Sequence, residues 1–115
     1  MSYMLLIVEP FGQRHERSAD EGRGVYQRMV DYGDSLKQQG LLLATHSLKE
    51  PAVRLRVRGG RSSVVDGPFT EAKEFIGGFY LLDCGTRAQA LALARQCPAA
   101  EWATIEVRET GPCYE

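Results

Sequence analysis

"GGFYLLDC", residues 77–84, is apolar on both of its alternating faces: Phe79 and Leu81 point one way, Tyr80 and Leu82 the other. A strand with one face in water alternates apolar with polar, so a strand of this kind asks for cover on both sides. "YMLLIVE", residues 3–9, has the same character, with Leu5 and Ile7 on one face and Met4, Leu6 and Val8 on the other, before Pro10 and Gly12 end it. What can cover two such strands is set by the segments between and after them.

From about Asp20 to Gln39, Val25, Met29, Tyr32 and Leu36 recur at the spacing of one helical face, and Gly40 is a C-terminal stop. "LLLATHS" (41–47) reads as a strand. "VRLRVR" (53–58) alternates strictly and is followed by the Gly59-Gly60 turn and the short apolar run "SVV", which makes a hairpin. After the strand at 77–84, Thr86 is an N-cap for a helix carrying Ala88, Leu91 and Ala94 or Arg95 up to Pro98, and "ATIEVRE" (103–109) is a last strand. The order is β-α-β-β-α-β with an extra hairpin. It predicts an α+β fold, the ferredoxin-like antiparallel sheet with two helices on one face, as a single domain over residues 1–115. Helices on one side leave the other apolar face wet, and a second copy is the natural cover, so the expectation is a homodimer in the manner of a dimeric α+β barrel. The alternative cover is the extra hairpin together with the C-terminal segment.

The 115 residues suit one domain, and 43% apolar with 25% charged residues is a globular composition. A net charge of -1 gives no broad positive field, which argues against nucleic acid and an anionic membrane surface as general partners. No apolar run approaches the roughly 20 residues that span a bilayer, and Met1–Val8 runs too soon into Glu9 and Pro10 to be a secretory signal; the expected location is cytoplasmic. Cys84, Cys97 and Cys113 are odd in number and show no paired spacing, so they read as reduced thiols, Cys84 buried and Cys113 near the surface. Neither His15 nor His46 has a metal-ligand spacing, and no cofactor is expected.

Chemistry is expected around "DGPFTEAKE", residues 66–74. Asp66 can fold onto the backbone of a turn that Gly67 and Pro68 impose, and the same turn can set Asp66 beside the charged groups that follow it, at the mouth of a sheet cleft. The histidines are the usual proton carriers near neutral pH: His46 closes an apolar strand, and His15 lies in a polar segment after the first strand. Arg54, Arg56 and Arg58 share the polar face of the third strand, where a guanidinium can grip an anionic group in two places. The candidate catalytic residues are Asp66 as base with His46 or His15 as proton partner. Arg54, Arg56, Lys73, Glu74 and Phe69 are the candidate substrate contacts for a small anionic or aromatic molecule. The plain alternative makes the same residues a solvated strand face and a structural turn.

"VVDGPFTEAKEFIGGFYLLD", preceded by "AVRLRV" and followed by "RAQALALARQCPAAEWATIEVRE", resembles the DGPF-type branch of the YCII-related family, and the likeness runs over essentially the whole chain. The motif is kept at Asp66, Gly67, Pro68, Phe69, Glu71, Lys73, Glu74, Gly77 and Gly78. The resemblance implies the ferredoxin-like dimeric α+β barrel. It also implies a His-Asp pair in a cleft, in the manner of a related branch that eliminates chloride from a chlorinated hydroxyquinol. His15 is the counterpart of that histidine, while "LLLATHSLKEP" holds no aspartate. DGPF-type proteins are further similar to domains found beside or fused to alternative sigma factors, which points to regulation. Three readings stand open: a metal-free lyase or isomerase working by acid/base chemistry, a non-catalytic ligand-binding or regulatory module linked to sigma-factor systems, and a structural dimer module.

Overall fold

The computed structural model describes residues 2–115 except 68 and 70, so the predicted turn at Pro68 lies outside the described residues. In chain order the elements are β1 (Tyr3–Pro10), α1 (Ala19–Gln38), β2 (Leu42–Ser47), β3 (Val53–Arg58), β4 (Arg61–Asp66), β5 (Glu74–Leu82), α2 (Arg87–Arg95) and β6 (Thr104–Glu109), with short 3-10 turns at Gln13–Glu16 and Pro98–Glu101. β2, β5, β1 and β6 form one antiparallel sheet in that order, and β3 pairs with β4 in a separate hairpin. This mixed α+β architecture is compatible with the ferredoxin-like arrangement read from the sequence. The two central strands, β1 and β5, are the two that are apolar on both faces.

Both helices lie on the same side of the sheet. Tyr3, Leu5 and Ile7 of β1 and Tyr80 and Leu82 of β5 meet Tyr32 and Leu36 of α1 and Ala90, Leu93 and Ala94 of α2 in one core. The buried stripe of α2 differs from the expected one: Ala88 is exposed and Leu91 half-buried, while Ala90, Leu93, Ala94 and then Cys97 face inward at helical spacing. Alanines at three of the inward positions of this region (Ala90, Ala94, Ala99) let it lie close to the sheet. β5 begins at Glu74, three residues before the expected start, because residues 74–76 extend the ladder with β1 beyond a bulge at Gly77.

The helix ends are closed by local chemistry. At α1, the Ser18 hydroxyl accepts from the Glu21 N–H while the Glu21 carboxylate accepts from the Ser18 N–H, a reciprocal cap. Its far end stops at Gly40, whose φ of 73° few other residues tolerate; Gly40 N–H donates to Lys37 and Leu41 N–H to Leu36. At α2, the Thr86 hydroxyl accepts from Gln89 N–H, as the sequence predicts.

The opposite face of the sheet carries Met4, Leu6 and Val8 of β1 and Ile76, Phe79 and Leu81 of β5. No helix lies there, and Ile76 is 46% exposed. The hairpin does not cover this face either, because every residue of β3 and β4 is exposed. The molecule is a slab of 46 × 43 × 19 Å, and its radius of gyration is 16.1 Å.

Candidate functional site

The stripe of α1 that faces the sheet can be followed from Leu36 through Tyr32, Met29 and Val25 back to position 22, where the residue is glycine. A side chain there would extend the core; a Cβ built on Gly22 meets nothing within 4 Å. The space left open is a cavity of about 600 Å³ between the N-terminal half of α1 and the sheet. Its walls are mostly apolar: Ile7, Val25, Met29, Val30, Tyr80 and Trp102. Glycine in a helix interior costs roughly 1 kcal/mol relative to alanine, so the opening is kept at some expense to the helix.

Tyr80 braces the deep wall. Its hydroxyl donates to the Met29 carbonyl at 2.7 Å, and its ring packs against α1 at Gly33, where a Cβ would come 3.3 Å from the ring. Tyr32 meets it edge-on at 5.1 Å and donates to the Leu93 carbonyl of α2 at 2.6 Å. Burial pushes both phenols well above their ordinary value of 10. They act as neutral donors that tie both helices into the core.

The floor carries a buried ion pair. Glu9, 7% exposed at the end of β1, takes two nitrogens of Arg14 at 2.7 and 3.0 Å, and Arg14 also donates to the carbonyls of Leu48 and Gly77. Every arm of that guanidinium is occupied, which makes Arg14 a clamp between β1, β5 and the segment after β2. Phe75 lies beneath the guanidinium at 5.0 Å.

One end of the cavity is lined by Trp102, with the Arg17 and Arg28 guanidinium groups 5.7 and 5.3 Å from its ring centre. Arg28 is held by both oxygens of Glu101 at 3.2 and 3.1 Å, which lowers the Glu101 carboxyl below its usual range and raises Arg28. Arg17 makes no ion pair among the described residues, and it lines the cavity. Asp34, Lys37, Thr45 and Ser47 lie around the remaining rim. The arrangement offers an apolar interior with the Arg17 guanidinium at one end, over Trp102 and within electrostatic reach of Glu21.

The residues singled out in the sequence fall in several places. His46 borders the cavity, yet its ring meets that of Phe79 at a tilt of 55°, with centroids 5.9 Å apart. Strand alternation puts Phe79 and its cross-strand partner His46 on the open sheet face, away from Tyr80. His15 lies in the turn after β1, largely exposed, with Nε2 3.8 Å from Glu50 Oε2. Asp66 ends β4, opposite Val53. Neither His15 nor Asp66 lines the cavity. Arg54, Phe69 and Glu71 do come together, with the Arg54 guanidinium 3.7 Å from the Phe69 ring centre and 3.7 Å from Glu71 Oε1. Arg56 is exposed in β3, the Lys73 carbonyl accepts from Phe11 N–H, and Glu74 pairs with Pro10 at the start of β5. Among the described residues no three of His, Cys, Asp and Glu are grouped as metal ligands, and no helix is long and apolar enough to cross a membrane.

The sequence reading passes over Glu9, Arg14, Arg17, Asp34 and Lys37. Two signals were available: glycines inside a helical pattern at 22 and 24, and a glycine pair inside a strand at 77 and 78, a mark of close approach. The second is borne out at Gly77, where a Cβ would fall 1.8 Å from Glu9 Oε2.

An uncharacterized protein of Rhizobium meliloti (strain 1021) is 46% identical over 59 residues, a stretch that spans 50% of this chain and 48% of that protein. The family model of the YCII-related domain matches residues 1–112. With a match of that extent, the chain belongs to the YCII-related domain family.

Proposed function

We propose that the protein is a homodimeric small-molecule binding protein whose site is the cavity beneath α1. The single observation that carries the reading is the unfilled volume of about 600 Å³ kept open by Gly22 in the core-facing stripe of a helix. Its ligand is an apolar or aromatic molecule with one anionic group. The apolar body sits among Val25, Met29 and Tyr80, and the anion meets Arg17, whose guanidinium lies near Glu21 but makes no close ion pair among the described residues. Burial of the apolar part supplies most of the affinity, and the charge fixes orientation.

Turnover is the second reading, and Asp34 favours it: a rim carboxylate with no ion pair among the described residues, one helical turn from Lys37. Such a pair suits elimination or isomerisation next to a carbonyl. Asp34→Asn tests it, since it should abolish product formation and leave binding in place.

The open sheet face supports the dimer reading. Met4, Leu6, Val8, Phe79 and Leu81, half-buried, and Ile76, exposed, share this apolar face, and a two-fold copy would cover it with itself.

Binding is tested by calorimetry with benzoate, salicylate and hexanoate, and with benzyl alcohol as a neutral control. The carboxylates should bind about tenfold or more tightly than benzyl alcohol, Arg17→Gln should remove that difference, and Gly22→Leu should abolish binding while the helical signal stays intact. Undiminished binding to Gly22→Leu would place the ligand elsewhere and end this reading.

A further inference from the structure

The hairpin β3–β4 is the part of the fold that its own chain does not explain. Two strands alone are marginally stable in water, yet this pair stands with every residue exposed. Gly59 and Gly60, at φ of 58° and 77°, make the tight turn at its tip. At its base, the Arg54 guanidinium is fixed by Phe69 and Glu71. A compact chain of this length has a radius of gyration of roughly 13 Å, against the 16.1 Å found, so the hairpin is an arm held away from the body.

The arm has two unlike faces. Its register puts Val53, Leu55 and Val57 on one side with Val64, at 63, 64, 58 and 63% exposure, together with Ser62 and, at the base, Asp66. The other side carries Arg54, Arg56, Arg58 and Arg61, with Val65 and Ser63 between them. With Asp66 as its one acidic residue the arm is strongly basic, while the whole chain carries -1, so the body is acidic. The arm's charge is thus complementary to the body of another copy, and an apolar row in the same arm lacks cover.

Area decides the occupant. Four strands about 4.8 Å apart, with about six residues each at about 3.3 Å, give the open sheet face a footprint on the order of 400 Å², half of the roughly 800 Å² that each partner buries in a stable pair. An arm of two strands has a footprint on the order of 200 Å² by the same spacings. In a two-fold pair each copy both lends an arm and receives one, so the arm enters twice and closes the shortfall. We infer that the arm is an embracing element of the dimer, with the Val53, Leu55, Val57 and Val64 face of each arm lying against the body of the other copy. The inference rests on the dimer reading above and extends it.

Sedimentation over a concentration series tests it on the wild type, on Leu55→Glu in the arm, and on Leu6→Arg in the sheet face. Leu55 is exposed in the single chain, so the substitution leaves the chain folded by circular dichroism. The expected result is a wild-type dimer that both variants weaken by about tenfold or more. Hydrogen exchange should show residues 53–66 gaining protection as the wild type associates. A dimer lost in Leu6→Arg and unchanged in Leu55→Glu, with the arm unprotected, overturns the embrace and keeps the dimer; the arm would then serve another partner. A wild type that stays monomeric at about 100 µM overturns both readings.

Discussion

Gly77 stands directly over the carboxylate of Glu9: a methyl group added there would lie 1.8 Å from Oε2 and 2.7 Å from a guanidinium nitrogen of Arg14. The carboxylate is the far end of a side chain, but both of its oxygens are held by Arg14 and it is buried, so it cannot simply swing aside. Gly77→Ala should lower the stability of the fold by about 1–3 kcal/mol, read from the urea midpoint. An unchanged midpoint would show that the pair rearranges freely.

Arg14→Met leaves a buried carboxylate without its partner and takes a donor from the carbonyls of Leu48 and Gly77, of which the Gly77 carbonyl keeps the Leu48 N–H. The expected loss is about 3–5 kcal/mol. Replacing both members, Glu9→Leu with Arg14→Met, removes the unpaired charge and should recover much of that loss. A double-mutant cycle measures the coupling, and strictly additive effects would contradict it.

Alkaline pH should loosen the core through Tyr32 and Tyr80. Burial raises both phenols in the folded chain above the ordinary 10. The unfolded chain releases these protons first, so the folded state is the proton-richer one at high pH. Their contribution is whole below about pH 10 and is lost as pH rises toward the folded values. Tyr32→Phe should reduce this alkaline loss, and at neutral pH it should cost about 1 kcal/mol because the Tyr32–Leu93 hydrogen bond is lost, the Leu93 carbonyl keeping only the Gln96 N–H. Thermal midpoints at about pH 8 and about pH 11, compared between wild type and variant, check both effects.

The three cysteines should react in two classes. Cys84 and Cys97 are buried, and burial pushes both thiols up, away from the reactive thiolate; Cys113 is exposed. An aromatic disulfide reagent should modify Cys113 alone in the folded protein, and all three in denaturant. Rapid modification of Cys97 in the folded state would mean that the packing of α2 opens readily.

Gly24→Ala and Gly22→Ala should each stabilise α1 by about 0.5–1 kcal/mol, because neither added methyl meets another atom. Gly24 does not line the cavity and Gly22 does. Weakened carboxylate binding is therefore expected from Gly22→Ala alone. Equal effects of the two on binding would separate Gly22 from the site.

The strand and helix order was legible because its signals are local: two strands apolar on both faces, one long helical stripe, and caps at Gly40 and Thr86. The site was less legible. Glu9 and Arg14 lie close in sequence, but their importance comes from Gly77, which only the pairing of β1 with β5 brings near. The cavity is defined by a side chain that Gly22 lacks, and periodicity registers what is present more readily than what is missing. Asp66 drew attention for its motif, and its place at the base of an exposed arm, off the cavity, is set by how that arm joins the sheet, which no short-range pattern encodes.

An arm whose residues all stay exposed also alters what unfolding measures. Unfolding heat capacity and denaturant dependence scale with newly wetted surface, about 12–15 cal/mol/K per residue in an ordinary domain. β3 and β4 are already wet in the single chain, so melting them adds little to either quantity. In a calorimeter the isolated chain should register as a smaller protein than its 115 residues imply.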